Sequence, residues 1–255
     1  MHDLQKFPVK EIATKKIGND PSKSTIVFLH DSLGCIDIWR DFPEILGEWC
    51  DCNIVIYDRQ GYGKSCAFSY SERDNGYMEL EANFLIELLN YWNLKKVILF
   101  GHSDGGSIAL IAAGKYPDRV VAVITEGAHI FVEDVTLKGI SDAIHAYKTT
   151  HLKEKLAKYH GNKTDALFWA WAKTWHTPQF KSWNIEHFLT SITCPALIIQ
   201  GEEDQYGTLN QVYQSVAGIG DNGHSLVLKN TKHSPHKENR EEVLEKVTTF
   251  LKEKV

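Results

Sequence analysis

Residues 95–117 read KKVILFGHSDGGSIALIAAGKYP. The first six end in a run of Val, Ile, Leu and Phe, the composition of a buried strand. The last eleven are apolar and rich in alanine and isoleucine, as a core helix is. Between them GHSDGG leaves no room for a loop, so the chain must turn sharply at Ser103. A strand that turns at a serine directly into a helix has the layout of a nucleophile elbow, G-x-S-x-G, which lifts the hydroxyl to the tip of a sheet.

Working outward, five more runs carry the strand composition: 24–30 (STIVFLH), 52–58 (CNIVIYD), 120–127 (VVAVITEG), 195–201 (PALIIQG) and 224–230 (HSLVLKN). They are near-continuously apolar, as strands of a parallel sheet buried on both faces are. Segments with helical period lie between them, at roughly 38–50, 77–93, 105–116, 205–217 and 237–253. Strand and helix in alternation predict an α/β fold with a mostly parallel central sheet flanked by helices. The alternation lapses between about 131 and 190, a stretch too long for an ordinary connection. It holds Trp169, Trp171, Trp175 and Trp183 and predicts a helical lid, with residues 1–130 and 191–255 forming one core domain. Gly161 marks a break between lid helices. Trp171 and Trp175 are four apart and share a helix face; with Trp169 they are candidates to line a substrate pocket.

Composition narrows the function classes. The chain has 255 residues, 43% hydrophobic and 24% charged, with a net charge of -5. That is the profile of a globule with a continuous core. Lysines are scattered or balanced by glutamates, which argues against a nucleic-acid partner. No apolar run reaches the length of a membrane span, and the start of the chain lacks the pattern of a secretory signal. The expectation is a cytoplasmic protein with no membrane partner. Five cysteines (Cys35, Cys50, Cys52, Cys66, Cys194) show no zinc-ligand spacing and are expected as free thiols. Five histidines of the 131–190 segment likewise show no HExxH or comparable spacing, so no metal is expected.

A serine hydroxyl needs a base to take its proton and an acid to orient that base. Behind an elbow serine the order is Ser, then Asp or Glu, then His. Asp204 follows the strand PALIIQG at the carboxyl end of the sheet, where ligands of open α/β sheets bind. Glu202 and Glu203 are its rivals, expected to form the turn off the strand tip. His233 lies in the loop TKHSPH after the last strand, with His236 as its competitor. Tyr206 and Thr208, after the acid loop, either face the site or, the preferred reading, end and cap local structure.

FLHDSLG (28–34), YDRQGYGKS (57–65), ILFGHSDGG (98–106), LIIQGEEDQYG (197–207) and KHSPHKEN (232–239) together resemble the successive signature segments of the α/β-hydrolase superfamily. The resemblance spans nearly the whole chain outside the lid. It implies Ser103 as nucleophile, Asp204 as orienting acid and His233, rather than His236, as general base, with no cofactor. It further implies an oxyanion hole built from the backbone NH groups of Asp104 and Ser32. His30-Asp31 stands where His-Gly is common, which is read as a tolerated local substitution. Arg59 and Tyr62 look like scaffold residues.

The expected activity is hydrolysis of a small carboxylic ester through an acyl-enzyme. Carbon-carbon bond hydrolysis or a synthase-type elimination on the same fold, and a non-catalytic ligand receptor, are the alternatives. The absence of arginine between Arg119 and Arg240 counts against the former, whose substrates carry carboxylates. Asp104, beside the nucleophile, has two readings. SDGGSIALIAAGKYP resembles the elbow of amino acid esterases of the valacyclovir hydrolase type, which implies that Asp104 binds a substrate cation. The structural reading is a helix-start or lid-pairing role.

Overall fold

In the computed structural model the described residues are 9–69 and 73–255; residues 1–8, on which the reading of the chain's start partly rests, lie outside them. The chain alternates as its apolar runs predict. β1 (Thr14–Ile17), β2 (Thr25–Leu29), α1 (Phe42–Cys50), β3 (Asn53–Tyr57), α2 (Tyr77–Tyr91), β4 (Val97–His102), α3 (Asp104–Lys115) and β5 (Val120–Glu126) form the first part. Three helices follow, α4 (Asp134–Thr149), α5 (Leu152–His160) and α6 (Thr164–His176), then the short α7 (Glu186–Leu189). The chain returns to the sheet with β6 (Ala196–Gly201), α8 (Asn210–Ile219), β7 (Gly223–Leu228), α9 (Pro235–Glu238) and α10 (Arg240–Lys254).

The strands make one sheet in the order β1-β3-β2-β4-β5-β6-β7. β1 is antiparallel to β3 and all other pairs are parallel. Alternate residues of each central strand feed opposite faces: Val27, Leu99 and Val123 join one apolar cluster, and Phe28, Phe100 and Ile124 the other. Helices cover both faces, so the strands read as unbroken apolar runs.

Local differences from the sequence reading have local causes. β1 is short and half exposed, TKKI, and offers no apolar run to find. The helix expected over 38–50 begins at Phe42, with Pro43 in its first turn, where a missing N–H does no harm. Its earlier residues form a separate 3-10 turn, Ile36–Trp39. The helix expected from 205 begins at Asn210, because the intervening residues are bonded to other segments: the Tyr206 amide to Asp204, the Gly207 carbonyl to Gln200 and Thr208 to Glu133. Gly161 does separate two insertion helices, with φ 59 at the C-terminus of α5. All five cysteines are free. Among the described residues no helix is long and apolar enough to cross a membrane.

Candidate active site

Ser103 sits between β4 and α3 with φ 55 and ψ -121, a left-handed conformation strained for a non-glycine residue. Its neighbours explain how the turn closes. A Cβ on Gly105 would lie 2.1 Å from the Leu29 carbonyl oxygen, and one on Gly101 2.3 Å from that of Gly105. The glycines of the motif are there because strand, turn and helix approach backbone to backbone. The Ser103 amide is anchored to the Glu126 carbonyl at 2.8 Å, and the Ser103 carbonyl accepts the Gly106 and Ser107 amides.

Asp204 and His233 come from different loops at the same sheet edge. His233 Nδ1 lies 2.9 Å from each oxygen of Asp204. Asp204 Oδ1 also accepts the Tyr206 amide at 2.8 Å, and the side chain is 1% exposed. Glu202 and Glu203 are exposed, and their amides bond to the carbonyls of Leu228 and Thr231, so they form the turn off the strand. Burial works against the charged His233 imidazole, but attraction and hydrogen bonding to Asp204, with Asp31 and Glu238 adding, raise its pKa above the ordinary value. Burial likewise opposes the Asp204 charge, and His233 outweighs it and holds that carboxyl low. His236 points elsewhere, with Nδ1 2.6 Å from Glu126 Oε2.

Ser103, His233, Asp104, Ser32 and Asp31 border one cavity of about 150 Å³, walled by Trp171, Trp175 and Tyr206. The Ser103 hydroxyl makes no hydrogen bond among the described residues, and neither do the amides of Ser32 and Asp104. Nucleophile–base bonds commonly tighten only with substrate in place.

Asp104 is 1% exposed. Its Oδ2 accepts the Tyr77 hydroxyl at 2.8 Å and lies 3.9 Å from Arg59 Nη2. Tyr77 in turn accepts the Trp175 indole N–H at 3.2 Å. Asp104 is the first residue of α3, the helix-start position expected for it; its hydrogen bond goes to Tyr77 of α2, which links it to Trp175 of the insertion. Oδ1 accepts no hydrogen bond among the described residues.

Trp169 is not at this cavity. It lies edge-on to Tyr147 and Phe168, with Lys148 and Lys173 over its ring, and borders a separate cleft with Phe68 and Lys163. The two-residue step from Trp171 turns it to another face of α6. Thr208 turns away as well, bonding Glu133 through its hydroxyl and amide. Tyr206 does the opposite: its ring packs 4.7 Å from that of His233.

Several residues at the site have partners far along the chain; Arg59, expected as scaffold, is one. Arg59 is fully buried, donates to the Asp31 carbonyl at 3.0 Å and lies 3.8 Å from Glu81. His102 Nε2 donates to the His233 carbonyl at 2.7 Å, while its Nδ1 lies 3.3 Å from Asp31 Oδ2. His160, on α5, receives the Gly63 amide and donates to the Leu33 carbonyl, tying the insertion to the loop that carries Ser32. Among the described residues no group of three or more His, Cys, Asp or Glu is placed to hold a metal ion.

The pattern of the alpha/beta hydrolase family matches residues 26–246. The chain is 34% identical to serine hydrolase BPHL of Homo sapiens over 162 residues, which are 59% of this chain and 53% of that protein. The chain thus spans about half the length of that relative. It is 25% identical over 232 residues to a 2-hydroxy-6-oxononadienedioate/2-hydroxy-6-oxononatrienedioate hydrolase of Paraburkholderia phymatum, covering 77% and 76% of the two chains. Among solved structures, MGS-M2, an alpha/beta hydrolase from a deep-sea metagenome library, superposes with a TM-score of 0.78 at 19% identity, over 94% of this chain and 93% of that one. A carboxylesterase of Nitrososphaera gargenis gives 0.75 at 18%, over 97% and 98%.

Proposed function

Because the chain belongs to the alpha/beta hydrolase family, we propose that it is a serine hydrolase that cleaves a small carboxylic ester through Ser103, His233 and Asp204. The observation that carries this reading is the position of His233: its Nδ1 is within 2.9 Å of both Asp204 oxygens, at the cavity that Ser103 also borders. With Nδ1 donating to the carboxylate, Nε2 is left as the acceptor for the Ser103 proton.

In this reading Ser103 Oγ attacks the ester carbonyl as its proton passes to His233. The amides of Asp104 and Ser32 receive the oxyanion; neither has another acceptor among the described residues. His233 then protonates the departing alcohol, and the acyl-enzyme is hydrolysed by a water that His233 deprotonates. Asp204 keeps the imidazole oriented and stabilises its charge.

The small, aromatic-walled cavity suits a compact acyl group. Asp104 borders it with one oxygen unbonded, which favours esters bearing an ammonium near the carbonyl. Carbon-carbon hydrolysis of dicarboxylate substrates fits less well, because the cavity is bordered by Asp31 and Asp104 and by no lysine or arginine among the described residues.

The test is labelling by a fluorophosphonate in native protein and in Ser103→Ala, followed by a panel of esters, amides, lactones and a diketone. Labelling that depends on Ser103, with ester turnover, is the expected result. A native protein that resists the label and turns over no ester overturns the proposal.

A further inference from the structure

Glu126 ends β5, beside the strand that carries the nucleophile, and is 0% exposed. Its carbonyl accepts the Ser103 amide at 2.8 Å. Its Oε2 lies 2.6 Å from Nδ1 of His236, which is 3% exposed. Its Oε1 is buried with no hydrogen-bond partner among the described residues. A buried carboxyl group with an unmet acceptor is unfavourable relative to an apolar side chain of the same shape, so packing alone does not account for it. Asp204 already bonds His233, and Glu126 does not border the cavity, so its side chain touches neither substrate nor base.

What it touches is the far end of the loop that carries the base. His236 follows His233 by three residues and is packed by the rings of Trp39, Phe42 and His102 at 4.6, 5.6 and 5.0 Å. The near end is held by Glu238, which accepts the amides of Lys232 and Ser234 at 2.7 and 3.0 Å, but in contact with solvent. Solvent competes for that tie and not for the buried one. Burial pushes the Glu126 carboxyl up to about 7 and His236 well below the ordinary histidine value. Both directions favour neutral partners that share a single proton.

We propose that Glu126 is a positioning residue: by its backbone it fixes the Ser103 elbow, and through the His236 ring it fixes the loop that presents His233. The proposal rests on the reading of His233 as the general base. One residue thereby ties the elbow to the base loop, alongside the His102 ring that donates to the His233 carbonyl, and so helps set the distance between nucleophile and base, two groups with no direct hydrogen bond in this structure.

The experiment compares Glu126→Ala, Glu126→Asp and Glu126→Gln with native protein. Ester kinetics are measured alongside the downfield NMR signal of the His233 Nδ1 proton, identified by its loss in His233→Ala. Alanine removes the tie and aspartate is one methylene too short for it, whereas glutamine keeps its length and bonding. Alanine and aspartate are expected to lower kcat by ~10-fold or more, with KM within about twofold, and to broaden or shift the proton signal. Glutamine is expected to retain the signal and most of kcat. If Glu126→Ala does not fold, Glu126→Asp decides. Native kcat and signal in the aspartate variant overturn the proposal, as does glutamine impaired to the same degree as aspartate. Should native protein turn over no ester, the hydrolase reading falls, and the NMR signal still decides the positioning role.

Discussion

The Tyr77 hydroxyl donates a 2.8 Å hydrogen bond to Oδ2 of Asp104, one residue beyond Ser103. A carboxylate there opposes the charge that develops on a substrate oxyanion, by up to about 4 kcal/mol at 4 Å for an effective dielectric near 20. Tyr77 and the buried Arg59 guanidinium, 3.9 Å away, offset part of that. A substrate ammonium at the unbonded Oδ1 would offset more.

Replacing Asp104 by asparagine therefore separates two substrate types. For α-amino esters kcat/KM is expected to fall ~10-fold or more, the worth of a charge-assisted hydrogen bond. For matched N-acyl esters it should hold or rise. An unchanged ratio between the two in native and variant protein would remove the cation role.

The pH dependence follows from His233. Its pKa is raised in the folded chain, so rate is lost as pH falls through a midpoint above 6.5. A kcat/KM profile flat from about pH 5 to about pH 8 contradicts a histidine base. Stability has the matching signs. The His233 contribution is complete below 6.5 and fades as pH rises through the raised value. The Asp204 contribution is present above the ordinary carboxylate value of 3.8 and fades as pH falls through the lowered one. Denaturant titrations of native protein and Asp204→Asn across pH check both.

Two glycines should fail differently. Gly105→Ala places a Cβ 2.1 Å from backbone at the elbow, which cannot yield without moving β2 or α3. A loss of about 1–3 kcal/mol or more is expected, together with loss of serine labelling. Gly161→Ala meets nothing within 4 Å and carries only the backbone strain of φ 59 and ψ -132, a cost of about 1–3 kcal/mol with labelling intact. Labelling rates distinguish them, and urea midpoints measure each cost.

The tryptophans of α6 divide in the same way. Trp175 is 1% exposed and donates to Tyr77, so Trp175→Ala should cost about 3–5 kcal/mol and alter KM. Trp169→Ala should leave ester kinetics within about twofold, because its ring faces the other cleft. Equal kinetic losses in the two variants would show that the cavity has been drawn with the wrong wall.

The elbow and the parallel strands were legible in the chain because each depends on local pattern; Ser103, Asp204 and His233 were candidates on the same ground, with His233 preferred to His236 only through the family resemblance. Near-continuous apolar runs need burial on both sheet faces, and G-x-S-x-G needs glycines where backbones touch. β1 escaped notice because an edge strand exposed along half its length has no such pattern. Tyr77, His102 and Glu126, and the partners of Arg59, escaped for another reason. Each lies in or beside a well-marked segment, but its role depends on a partner far along the chain, and nothing local marks that partner.

The order of residues alone therefore determined the architecture, an alternating α/β chain, and set a serine, an aspartate and two histidines just beyond strand ends, after β4, β6 and β7. Only the tertiary structure decided which histidine meets Asp204 and which meets Glu126, which tryptophans wall the cavity, and what surrounds the Asp104 charge. Periodicity and turn chemistry act over a few residues and can be read from spacing. Pairing of buried charges and rings acts through space between distant segments and is set only when they pack.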